Sequence, residues 1–221
     1  MADWRGRLHV LVEGQTEEIV VRQVLAPHLQ EHGWSVTHSL VTTKRPVTGP
    51  PQRGGVTSWA KVERDVRLLL RDTGLTALTT LIDYYGFPED GPGMATRPSG
   101  TAVDRVEHVE RALADVIDDQ RFLPHLVLHE LETWVFAAAG QLGELRDDTA
   151  LTERLRADVK EAGGPELVND DPRTAPSKRL AAYCETYLKT LDGPMAIELL
   201  GLPALRADCP HFDDWLTRLE A

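Results

Sequence analysis

Cysteine is scarce: Cys184 and Cys209 are the two in a chain of 221 residues. Neither belongs to a Cys-x-x-Cys pair, so a disulfide framework is excluded and a reducing cytoplasm is the expected setting. No apolar run approaches the ~18 residues that a membrane helix requires. The N-terminal stretch MADWRGRLHVLVEG reaches Glu13 without an uninterrupted apolar region, so no secretory signal is expected. Aromatic residues make up 6% of the chain, and Trp4, Trp34, Trp59 and Trp134 are scattered, so no base-stacking platform of paired aromatic and basic residues is read from them. Positive charge is short as well: 24 Lys and Arg stand against 35 Asp and Glu, a net charge of −11. A general nucleic-acid binder carries a basic surface. Any action of this chain on DNA or RNA therefore has to be local, bridged by metal, or supported by a partner.

What is present is an ordinary globular composition, 42% hydrophobic and 27% charged, enough for a sizeable core. Apolar β-rich runs alternate with amphipathic stretches. Residues 7–12 read as a first strand, followed by helical spacing over 16–32, with Pro27 expected to kink or break it. Residues 34–41 alternate as a half-exposed second strand. A Pro- and Gly-rich loop over 44–55 leads to a helix at 57–71, and residues 77–83 form a third strand. A second long loop, 86–100, precedes a helix at 101–118, and residues 122–130 read as strand four. Strands joined by helices of this length imply right-handed crossovers and a mainly parallel sheet. The remainder reads as helical, with helices expected at 131–139, 151–162, 176–189, 194–200 and 212–219. This gives an α/β fold: residues 1–140 as the α/β core and 141–221 as a helical extension packed on it.

Three of the four strands deliver an acid where they end. The stretch LHVLVEGQTE closes on Glu13 and a glycine turn, TTLID on Asp83, and LVLHE on Glu130. In a parallel α/β sheet these ends gather at one edge, where ligand sites form. Hard cations such as Mg2+ are held there by carboxylates and substrate phosphates. An acid directly after an apolar run sits where an unpaired charge is costly, so Glu13 and Asp83 each call for a partner, although Asp83 would also serve as an Asx-turn cap. Glu17 and Glu18 have a simpler explanation as first-turn acids favoured by the helix dipole at ~0.3–1 kcal/mol each. Gly14 makes the turn, and the helix after it offers N–H groups to phosphate. Tyr84 and Tyr85 fit either packing or base stacking.

The stretch His129-Glu130-Leu131-Glu132-Thr133-Trp134 lacks the second histidine of a zinc-protease HExxH, since Thr133 stands there. If Glu130 and Glu132 are both helical they lie about 200° apart and one of them reaches the site; Glu130 is favoured, with Glu132 as a second ligand. Ser58 and Lys61 open the helix after Gly54-Gly55 and read either as phosphate contacts or as an ordinary helix start. The same two readings apply to Ser177-Lys178. His211, Phe212 and Trp215 are expected to pack the helical tail on the core.

LVEGQTE, LIDYYG and HELETW, with APSKRL and CPHFDDWL further on, resemble the DUF4276 family of bacterial proteins over nearly the whole chain. Residues 7–139 are also similar to Toprim domains, especially those of OLD-type nucleases. The resemblance implies a Toprim-like, mainly parallel four-stranded sheet and a metal-dependent phosphoryl-transfer site. In it Glu13 is general acid/base or ligand, and Asp83, Glu130 and Glu132 hold Mg2+ or Mn2+. Lys178 contacts the scissile phosphate, as a lysine does in OLD-type sites. It further implies hydrolysis of DNA or RNA, an ABC/SMC-like ATPase partner, a role in phage defence, and the option of a homo-oligomer. One departure stands out. Toprim strands usually carry Asp-x-Asp where this chain has Asp83-Tyr84-Tyr85, so Glu130, Glu132, Glu89 or Asp90 would have to compensate, or the chain would be a non-catalytic subunit that regulates the ATPase. Hydrolysis of a nucleotide or other small phosphate ester would use the same acids.

Overall fold

The computed structural model describes residues 4–41, 58–168 and 174–221. The loop expected at 44–55 lies outside them. Strand β1 (Gly6–Val12) is followed by α1 (Gln15–Val20), a π-helical turn at Val21–Leu25 and α2 (Ala26–Glu31), which together form one continuous rod. Pro27 does not break it. Its missing N–H removes one bond to the preceding turn, and the wider π turn just before it takes up the misfit. Next come β2 (Trp34–Leu40), α3 (Trp59–Leu69), β3 (Ala77–Asp83) and α4 (Ala102–Ile117). Helix α4 opens on a full capping box between Thr101 and Asp104.

All strand pairings are parallel, in the spatial order β2-β1-β3 followed by two short segments, β4 (Phe122–Leu123) and β5 (Leu126–Val127). The fold is thus an α/β fold with a parallel sheet flanked by helices. The fourth strand is shorter and more broken than its apolar run implies. Pro124 has no N–H to continue the ladder, and His129 sits at φ 64°, a left-handed conformation that ends extended chain. That bend turns the chain into α5 (Glu132–Ala137).

Helices α6 (Ala139–Arg146), α7 (Thr149–Ala162), α8 (Pro176–Tyr183), α9 (Asp192–Leu200), α10 (Leu202–Asp208) and α11 (Pro210–Glu220) follow. Helix α8 stops at Tyr183, short of the expected 189, so Lys189 lies on the connection to α9. Each sheet face has its own core. On one side Leu8, Val10, Val12 and Leu81 pack with Val20, Val24 and Leu29 and with Trp134, Phe136, Ile197, Phe212 and Leu216 from the later helices. On the other, Leu11, Leu78 and Ile82 meet Val62, Val66, Val106, Val109 and Leu113 of α3 and α4. Alternate residues of β1 and β3 therefore go to opposite helical layers, which fixes strand register and so the height at which each terminal acid emerges.

Candidate active site at the carboxyl edge of the sheet

The register pairs Val12 with Leu81 and Ile82 with Leu126, so Glu13, Asp83 and the turn carrying Glu130 and Glu132 share one edge. Glu13 reaches across to β3, its Oε2 accepting a hydrogen bond from Asp83 N–H at 3.1 Å. Asp83 is buried, and its Oδ1 accepts from Leu131 N–H at 2.8 Å. One bond thus ties the first acid to the second strand, and the next ties the second acid to the turn that bears the third. Gly86 leaves the room this needs: a Cβ there would lie 3.0 Å from Glu13 Oε1. Gly14 is likewise pressed against a carboxylate, since a Cβ would lie 3.0 Å from Glu17 Oε2.

Glu17 is no solvated dipole acid. It is 4% exposed, and its charge bears on Asp83. Burial, then repulsion from Glu17 and Glu13, pushes the Asp83 carboxyl well above the usual carboxylate range, with Lys189 pulling the other way. Glu18, by contrast, faces His38 at 3.3 Å, away from this group.

Glu130 and Glu132 divide their tasks. Both Glu130 oxygens are engaged by the first turn of α8: Oε2 accepts from Ser177 N–H at 2.9 Å and Oε1 from Ser177 Oγ at 3.1 Å. Glu132 is 1% exposed and pairs through Oε1 with Lys189 Nζ at 3.1 Å, while its Oε2 has no hydrogen-bond partner among the described residues. Burial raises the Glu132 carboxyl, Lys189 opposes, and the charge of Glu130 raises it further. Lys189 is held firmly protonated. Burial works against its charge, but Glu132, Asp83 and Glu17 outweigh that. Tyr187, two residues earlier, has a buried hydroxyl whose proton is held tightly by burial and by the negative charge of Glu132.

Lys189 and Glu17 were not expected in this cluster. Glu17 lay under the ready explanation of a helix start, and Lys189 within a helix read as running through it. Glu17 closes the LVEGQTE stretch, whereas no motif marks Lys189; the folded contacts set the roles of both. Lys178 follows Ser177 in α8, and its backbone N–H bonds Ala175 O at 2.8 Å. Ser58 is the N-cap of α3, and Lys61 lies in that helix's first turn. The acids considered as substitutes for a second aspartate are occupied elsewhere: Asp90 Oδ1 accepts from Trp59 N–H at 3.0 Å, and Glu89 pairs with Arg97 at 3.2 Å. Tyr84 is buried in the core, and Tyr85 stacks obliquely on His129 with ring centroids 5.0 Å apart.

Chemically, the edge gathers Glu17, Asp83 and Glu132 around Lys189, with Glu13 tied to Asp83 on one side and Glu130 to Ser177 on the other. A buried carboxylate oxygen without a donor, beside an aspartate destabilised by like charges, is the condition a divalent cation relieves. The donors are all oxygen, which suits a hard ion.

Fold and site together define a parallel α/β protein with a carboxylate-lined site at the carboxyl ends of its strands. The chain belongs to the family described as Domain of unknown function (DUF4276), which it matches over residues 12–220. A comparison with curated proteins finds no match. Among solved structures it is similar to the C-terminal region of the Burkholderia pseudomallei OLD protein, at 16% identity and a TM-score of 0.44, covering 99% of this chain and 100% of that one. It is also similar to the C-terminal region of the Xanthomonas campestris pv. campestris OLD protein, at 16% identity and a TM-score of 0.41, covering 98% and 99%. No described helix is long and apolar enough to cross a membrane.

Proposed function

We propose that this chain is a Toprim-type nuclease that hydrolyses phosphodiester bonds of DNA or RNA, with Mg2+ or Mn2+ held by Glu13, Asp83, Glu130 and Glu132. The observation that carries this reading is the grouping of Glu13, Glu17 and Glu132 about the buried Asp83 at one sheet edge, where burial and like charge push its carboxyl up; Glu130, held by Ser177, would join them by turning one oxygen toward the ion. When bound, such an ion polarises the phosphate and lowers the pKa of water. Glu13, oriented by the Asp83 N–H, takes up the proton of the attacking water. Glu17 adds negative charge that strengthens cation binding. Lys189, whose side chain is 44% exposed, presents its ammonium to the phosphate and takes the role first expected of Lys178. Gly14, Ser58 and Lys61 are more distant phosphate contacts. On this reading residues 1–140 carry the acids and 141–221 is an extension that delivers the cation.

The charge of −11 leaves nucleic-acid grip to a partner; the family resemblance suggests that this partner is an ABC/SMC-like ATPase in cytoplasmic phage defence. Exposed Leu188, Leu191, Met195 and Leu199 beside Lys189 offer an apolar face for that partner or for a second copy. The specific observation for a second reading, a non-catalytic regulatory subunit, is that Tyr85 replaces the second aspartate while Glu89 and Asp90 are engaged elsewhere.

Incubation of plasmid, linear DNA and tRNA with protein and Mn2+, with and without the ATPase, separates these. Cleavage that is lost in Asp83→Asn supports the nuclease. Mn2+ binding without cleavage, even with the ATPase present, supports the regulatory subunit. Metal-dependent turnover of free nucleotides alone would mark a small phosphate ester as the substrate.

A further inference from the structure

A second cluster lies away from the acidic edge, near the other end of β5. Glu110 of α4, His125 just before β5 and His211 of α11 come together beside a cavity of about 470 Å3. We infer that these three side chains form a zinc-type cation site, with the fourth coordination position open to that cavity. The reading does not depend on the nuclease proposal.

The spacing is that of ligands around a common ion. Glu110 Oε1 lies 3.4 Å from His125 Nδ1 and 3.2 Å from His211 Nε2. Hydrogen bonds to a carboxylate from a charged nitrogen run shorter, ~2.7–2.9 Å. Bonds of ~2.0–2.2 Å to a tetrahedral zinc ion put neighbouring ligand atoms about 3.3–3.5 Å apart. Two histidines and one glutamate with an open position are also a donor set that zinc accepts.

The side chains are pre-set by neighbours. Leu126 N–H donates to Glu110 Oε1 at 2.8 Å, which fixes the carboxylate. Trp215 stacks on His125, centroids 4.3 Å apart and planes within 9°, and its own Nε1–H bonds Thr79 Oγ1 at 2.8 Å. His211 N–H is bound by Glu166 Oε2 at 3.0 Å, which anchors the start of α11. Yet the remaining ring nitrogens, His125 Nε2 and His211 Nδ1, are buried with no hydrogen-bond partner among the described residues. Ligation through His125 Nδ1 and His211 Nε2 would fix the ring tautomers with N–H on these outer nitrogens; it is the spacing of the three inner atoms that points to an ion. In the other histidine-rich group, His28, His32 and Glu220, the permanent cation Arg206 pairs with the carboxylate at 2.6 Å, whereas the partners of the Glu110 carboxylate are the two candidate ligands themselves.

The test is a Co2+ titration of the full chain carrying Asp83→Asn, which takes the acidic edge out of the measurement. One equivalent of Co2+ should give the strong visible bands of a four-coordinate ion, displaced by one equivalent of Zn2+ and shifted by azide entering the open position. His211→Gln and Glu110→Gln should each weaken binding by more than the ~100-fold that loss of a supporting residue costs, while His28→Gln leaves it unchanged. Circular dichroism reports whether each variant is folded. Absence of the four-coordinate bands in the Asp83→Asn chain overturns the site whatever the other variants do, and so does their persistence in folded His211→Gln. Because the readout is spectroscopic, a failed cleavage assay leaves this outcome untouched, and a failed titration leaves cleavage untouched.

Discussion

Lys189 and Glu132 depend on each other unequally. The glutamate is 1% exposed, whereas the lysine side chain is 44% exposed and partly screened by water. Replacing Lys189 with Met strands a buried charge, and urea unfolding should show a loss of roughly 1–3 kcal/mol, the cost of an unsatisfied buried group. Adding Glu132→Gln should recover most of it, since the amide needs no counter-charge. A Lys189→Met protein as stable as the parent would mean that the pair contributes little. Gly86 acts through shape instead. A Cβ there would press on Glu13 Oε1 at 3.0 Å, so Gly86→Ala should displace that carboxylate by a few tenths of an ångström. Turnover should fall by up to roughly 10-fold, given that 1 Å of misplacement can cost ~100-fold. Stability should barely change, which separates poor positioning from poor folding.

Among the elements, α11 is held at both ends by acids. Glu166 caps its start by accepting from His211 and Phe212 N–H, each at 3.0 Å. Glu220 secures its end. Burial alone would raise the Glu220 carboxyl, but hydrogen bonds from Arg206 and His28 bring it below its ordinary value of 4.5. A carboxyl lowered on folding contributes stability that is fully present above the ordinary value and is lost as pH falls through the folded value. Wild type should therefore be more stable than Glu220→Gln at neutral pH, and the gap should shrink steadily below pH 4.5 in urea midpoints. A constant gap would show that packing, and not ionisation, carries the effect.

The sequence was most informative where local pattern and burial agree. The span of β3 reads directly from ALTTLID because it is buried between two helical layers, and Glu13 and Asp83 are legible as acids at the ends of apolar runs. The apolar run past Pro124 predicts a longer fourth strand than forms, because hydrophobicity continues there while hydrogen bonding does not. Lys189 and the Glu110–His125–His211 group have no local sign, and Glu17, though it closes LVEGQTE, reads locally as a helix-start acid. Their partners lie tens of residues away, and spacing along one helix or strand cannot reveal a meeting of three segments.

At the scale of the molecule, neither the site nor the core divides at residue 140: Lys189 and Ser177 reach back to Glu132 and Glu130. Leu8, Val10 and Val12 of β1 share their core with Ile197, Phe212 and Leu216. A fragment ending at residue 140 loses that cover, and it should bind hydrophobic dyes and give poorly dispersed NMR spectra. Mixing it with a separately produced 141–221 fragment should restore dispersion. A well-folded 1–140 fragment would show that the later helices are dispensable for the sheet.

The wide separation in sequence between Glu13 and Lys189 also has a consequence for biosynthesis. Contacts between residues so far apart form late, after long loops have closed, and the ribosome releases the amino end first. A half-made chain would hold its acids without their lysine. The proposed cutting activity would therefore depend on the carboxyl-terminal helices having emerged and docked.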